Sequence, residues 1–227
     1  MGAVVRGPAG RHLARMDSVW LGVVIAAVVT GAAATPVLLA RGLAQLARRD
    51  AMSRGLGLAG ALGGIAAGAT AVATTQRTGI WELTPVLVFW GCALVAAACC
   101  DAVTQRVPTA LVRQAGVLTC ALLTVALAVH GDWPGLALSG VAAMASGLTL
   151  LLCWRFAGAG FGDVRLATLG GLGLGHVTHR GLLLAFAAFT VITVTQAVIT
   201  VMRGGGRQST LPYGPALAVG FLLAATL

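Results

Sequence analysis

Of 227 residues, 58% are hydrophobic and 9% are charged, whereas soluble globular domains carry about 25% charged residues. A water-soluble domain is excluded, because apolar runs recur so often that membrane spans use up the length. The net charge is +9 and all 15 basic residues are arginine, placed singly or in small groups between apolar segments. That is how juxtamembrane anchors distribute, and it argues against nucleic-acid binding.

Lysine and asparagine do not occur, which removes P-loop lysines, Schiff-base lysines and N-glycosylation sequons from consideration. Heavy use of Ala, Gly and Arg points to a high-GC bacterial genome. Windows long enough to cross a bilayer fall near 19–40, 55–75, 83–100, 109–129, 135–154, 163–175, 181–202 and 211–227. The expected fold is all-α, a polytopic transmembrane helical bundle of about eight spans. Residues 1–18 read as an N-terminal segment, upstream of the true start if translation begins at Met16, and 19–227 as a single multi-pass membrane domain.

In the second span Gly60, Gly64 and Gly68 recur every fourth residue, a stripe that lets another helix approach closely. The sixth segment, with Gly170, Gly171, Gly173 and Gly175, is expected to be partly irregular. Trp20, Trp81 and Trp133 lie near span ends, where interfacial aromatics belong. Cys92, Cys99, Cys100, Cys120 and Cys153 form no C-x-x-C pair and read as small buried hydrophobes, with no zinc or disulfide framework.

With alternating loops, Arg41, Arg48, Arg49, Arg54, Arg106, Arg113, Arg155, Arg165, Arg203 and Arg207 fall on one side. Arg6, Arg11, Arg15, Arg77 and Arg180 fall on the other. The first side is expected to be cytoplasmic, with both termini outside.

Acidic residues number six. Asp17, Asp50 and Asp132 flank spans among polar or turn residues, and Glu82 beside Trp81 is similar. Asp101 and Asp163 lie directly against membrane segments on the arginine-rich side, where an ionisable group is costly and is a functional candidate. Asp101 precedes a stretch in which Pro108 can start the next helix. Asp163 closes Gly158-Ala159-Gly160-Phe161-Gly162, whose alternate glycines suit an extended or tightly turned backbone that another chain could pair with. Two readings stand. The carboxylates can share a proton and hydrolyse a peptide bond without metal or nucleophilic side chain, or Asp101 can pair with Arg106 and Asp163 with Arg165 as interfacial anchors. His176 and His179 lack a third metal ligand, and Ser139 and Ser146 lack a nucleophile elbow.

At these residues the chain resembles the type IV prepilin peptidases, G-x-G-D intramembrane aspartic proteases. Asp101 followed by Thr104-Gln105-Arg106-Val107-Pro108-Thr109 is similar to the family's first motif, an Asp before a basic stretch ending Ile-Pro-Asn. Gly160-Phe161-Gly162-Asp163-Val164-Arg165-Leu166 matches G-x-G-D-x-K-L apart from Arg165, and Leu211-Pro212-Tyr213-Gly214-Pro215 resembles the family's Pro-Phe-Gly-Pro segment. Pro215-Ala216-Leu217 also reads as the P-A-L motif of presenilin-like proteases, which share the G-x-G-D logic. The resemblance covers residues 83 to 227 and implies a leader peptidase of the bacterial cytoplasmic membrane, acting on prepilins or pseudopilins at the cytoplasmic face. It implies Asp101 and Asp163 as the catalytic pair, backbone support from Gly160, Gly162, Pro108, Pro212, Gly214 and Pro215, and neither metal nor cofactor. Larger family members carry a cytoplasmic insertion with C-x-x-C pairs and also methylate the new terminus. Here Arg41 to Arg54 holds no cysteine, so a short form without methyltransferase activity is expected. The competing functions are a small proton-coupled transporter relaying protons through Asp101 and Asp163, and a non-catalytic pilus-assembly subunit.

Overall fold

The computed structural model describes residues 8–157, 160–175, 179–203 and 212–226. Among them every regular element is helical: α1 (Pro8–Gln45), α2 (Arg54–Thr78), α3 (Leu83–Thr104), α4 (Thr109–Val129), α5 (Trp133–Ala157), α6 (Phe161–Leu172), α7 (His179–Met202) and α8 (Gly214–Ala225), plus a single 3₁₀ turn at Arg49–Ala51. Six are long and apolar enough to cross a membrane; α6 and α8 have 12 residues each. At 1.5 Å per residue these two reach about 18 Å, short of the roughly 30 Å of hydrocarbon. The chain is a multi-pass helical membrane protein.

Burial follows the solvent. Val29, Leu62, Val117, Val125, Leu148 and Val194 are exposed on the outside of the bundle, as they must be where lipid replaces water. At the centre stands α3, apolar on every side and buried along most of its length, the pattern of a helix enclosed by others. It is packed by α1, α2, α4, α6 and α8. Fully buried Trp90 donates its indole N–H to the Leu169 carbonyl at 2.7 Å, joining α3 to α6. Thr74 of α2 donates to the Ala225 carbonyl at the end of α8, 2.6 Å away.

The glycine stripe of α2 acts as its spacing suggests. Gly64 lies directly against the Gly31 backbone and Gly68 against Ala27, so α1 and α2 touch without side chains between them. The sixth segment is partly irregular, as expected: a regular helix runs from Phe161 to Leu172 and gives way to a turn at 173–175, so Gly170 and Gly171 are helical and Gly173 and Gly175 are not. Its glycines are contact points, Gly170 beneath Phe221, Gly171 against the Ala142 carbonyl, Gly173 against Trp90 and Gly175 against Ser139. Tertiary packing here offsets glycine's poor helix propensity. The cysteines also divide. Cys92 and Cys100 are buried, Cys99 and Cys153 half-buried, but Cys120 is exposed, because its position on α4 faces outward. His176, Arg6, Arg207 and the side chains of Arg11, Arg15, Asp17, His179 and Arg180 lie outside the described residues.

Candidate active site

The third span continues one turn further than the apolar run suggests, so Asp101 sits within the last turn of α3 and not beyond it. The helix stops because Gln105 adopts φ 53°, ψ 31° and returns its N–H to the Asp101 carbonyl at 2.7 Å. This left-handed cap reverses the chain into 105–108. Pro108 then precedes α4 in extended conformation, φ −70°, ψ 100°, as the N-cap residue, a position where its missing N–H costs nothing. From α1, the Gln45 Oε1 accepts the Leu111 N–H at 2.9 Å, one of the donors a helix start leaves unpaired. Gly42 brings α1 against Cys100 and Pro108.

Asp163 belongs to the first turn of α6. Its Oδ2 accepts the Gly160 N–H at 3.0 Å, while its own N–H donates to the Gly160 carbonyl at the same distance. The carboxylate therefore caps the helix that carries it. Gly160 is extended, φ −73°, ψ 144°, but Gly162 is helical, so the extended run expected for strand pairing ends at Gly160. Gly158 and Ala159 lie outside the described residues. The helix wins because Asp163 supplies its cap.

The third motif closes on the first. Gly214, the first residue of α8, donates its N–H to the Asp101 Oδ2 at 2.9 Å. Pro215 occupies the opening turn of that helix, Pro212 and Tyr213 lead into it half-buried, and the Tyr213 ring meets Phe189 of α7 at 6.1 Å. A Cβ added at Gly214 would stand 2.9 Å from the Asp101 Cβ, and one at Gly162 would stand 2.9 Å from the Val107 Cβ. The three motif segments are thus in contact: Asp101 with Gly214, and the 105–108 turn with Gly162.

Asp101 and Asp163 are 5% and 6% exposed, and the charge of Asp101 reaches Asp163. Neither makes an ion pair with a described residue. Among the described residues, the salt bridge is His130–Glu82 at 2.7 Å, which joins α4 to α3 at the opposite end of the bundle. Arg165 donates instead to the Thr109 hydroxyl at 2.8 Å and lies over the Phe161 ring at 4.9 Å. The anchoring pairs Asp101–Arg106 and Asp163–Arg165 are therefore not formed. Ser139 and Ser146 donate to carbonyls one turn back in α5, at 3.1 and 2.7 Å, as helix-bonded hydroxyls do. No group of three or more potential metal ligands occurs among the described residues.

Glu82, outside the spans, is held below the usual carboxylate range by its own backbone N–H and by the hydrogen bond from His130. Sequence reasoning did not reach Gln45 or Phe189, which brace the site; they carry no motif, and their partners are 66 and 24 residues away in the chain. Val107 lies in the first motif, but its packing on Gly162, 55 residues away, has no local signal. No family model, curated protein or solved structure matches the chain.

Proposed function

We propose that this protein is a membrane-embedded aspartic endopeptidase that removes the basic leader of type IV prepilin-like substrates. The observation that carries the reading is the pair of buried carboxylates, without an arginine partner among the described residues, on which three separated motif segments converge. Two shielded carboxylates in one site can share a proton. The ionised one takes a proton from water as the water oxygen attacks the scissile carbonyl, and the protonated one gives its proton to the carbonyl oxygen. Collapse of the tetrahedral diol returns a proton to the leaving amine. The pair titrates as a unit, so the base and acid roles belong to both residues.

The orientation rests on arginine. Of those whose side chains are described, Arg41, Arg48, Arg54, Arg106, Arg113, Arg155, Arg165 and Arg203 lie toward the dyad end, and Arg77 lies at the other. By the positive-inside rule the dyad faces the cytoplasm of a bacterial cell. Residues 46–53 alone connect α1 to α2, so the reading is a short form that cleaves without methylating.

Co-expression with a prepilin-like protein tests this. Asp101→Asn and Asp163→Asn are each expected to lower leader removal by about a thousandfold or more, while Asp132→Asn cleaves normally. The mature product is expected at its unmethylated mass. Cleavage by either motif variant near the wild-type rate would sink the peptidase reading, and a gain of one methyl group dependent on S-adenosylmethionine would sink the short-form reading alone.

A further inference from the structure

Between α4, α5 and α6 runs a groove of about 420 Å³ whose lining includes neither carboxylate. Arg113 and Arg165 line it toward the dyad end, and it continues past Gly116 to Cys120 and Leu172. Thr109 to Cys120 spans 11 residues of α4, about 17 Å at 1.5 Å per residue. Half of the roughly 30 Å hydrocarbon core is about 15 Å, so the groove is as deep as one leaflet. Its wall below the arginines is built from small and apolar side chains, and at Gly116 a Cβ would meet nothing within 4 Å.

Neither arginine has a carboxylate partner among the described residues. Both are exposed, and Arg165 is turned by Thr109 and Phe161. Two cations at the interface above a leaflet-deep apolar channel match an amphiphile with an anionic head and a long chain. A planar guanidinium is also well suited to a phosphodiester. We infer that the groove seats an anionic phospholipid, its phosphate on Arg113 and Arg165 and an acyl chain along α4 past Gly116. This site does not depend on the peptidase reading, because it is defined by binding.

Native mass spectrometry of the full chain released from detergent, titrated with dioleoyl-phosphatidylglycerol or dioleoyl-phosphatidylcholine, tests it. The wild type is expected to prefer the anionic lipid by about thirtyfold, from about fivefold per arginine at an anionic headgroup. R113Q/R165Q should bring that preference close to one. R48Q/R155Q, which removes the same charge from the same end, should keep it. Gly116→Leu, which fills open space, should weaken retention of both lipids, and glycerol 3-phosphate should not compete at lipid concentrations. Equal loss in R48Q/R155Q, full retention in Gly116→Leu, or competition by glycerol 3-phosphate would each overturn the inference.

Discussion

Gly214→Ala isolates the contact that joins the last motif to the first. The new methyl would lie 2.9 Å from both the Cβ and Oδ2 of Asp101 and 3.2 Å from its Cγ. Carbon contacts settle at about 3.5 Å or more, so α8 and the carboxylate must part by roughly 0.6 Å. The Gly214 N–H bond to Oδ2, now 2.9 Å, would stretch to the edge of bonding. Overpacking of this kind costs about 1–3 kcal/mol of stability, which a bundle of this size tolerates. Catalysis is less forgiving, since a displacement of about 1 Å can cost roughly a hundredfold. The expected result is a folded protein with kcat for leader cleavage reduced about ten- to a hundredfold and KM little changed. Purified variant and prepilin-like substrate in detergent would be assayed by gel, beside Gly140→Ala, where a Cβ meets nothing within 4 Å. If Gly214→Ala turns over at the wild-type rate, the Asp101–Gly214 contact does not position the carboxylate.

Other perturbations separate placement from stability and sidedness. Gly162→Ala sets a methyl 2.9 Å from the Val107 Cβ and should slow cleavage about tenfold, with recovery in Gly162→Ala/Val107→Gly, which removes that Cβ; additive losses in the pair would contradict this close packing. Trp90→Phe leaves the Leu169 carbonyl without its 2.7 Å donor and should cost about 1–3 kcal/mol in unfolding while sparing activity per folded molecule. In a cysteine-free background, an impermeant thiol reagent should label Pro134→Cys but not Arg106→Cys in intact cells. Labelling of Arg106→Cys from outside would put the dyad on the wrong face.

The helices were legible because lipid exposure demands apolar composition over a fixed length, and the α2 glycine stripe because its spacing is local. Both carboxylates stood out through scarcity and position. What sequence could not supply was helix context decided by distant partners. Gly170 and Gly171 weaken an isolated helix, yet in α6 they admit Phe221 and Ala142, and nothing local marks that exchange. Gly162 read as part of an extended run until the Asp163 cap on Gly160 drew it into the helix. Val107 and Gln45 are ordinary residues whose roles exist only once α1, α4 and α6 have met.

Both carboxylates receive the same kind of partner. Asp101 takes the first N–H of α8, and Asp163 takes the N-cap N–H of α6. Helix starts leave such donors unpaired and carry a partial positive charge. An arginine would supply a full charge and hold its carboxylate ionised, which would remove the proton that a hydrolytic pair has to pass back and forth. A backbone N–H fixes the oxygen without that consequence. It also dictates where glycine must stand, because the Gly214 N–H reaches Asp101 only if no Cβ intervenes. On this reasoning Gly214 belongs to the chemistry proposed for the site as much as to the packing, and the described arginines at this end are left to other partners.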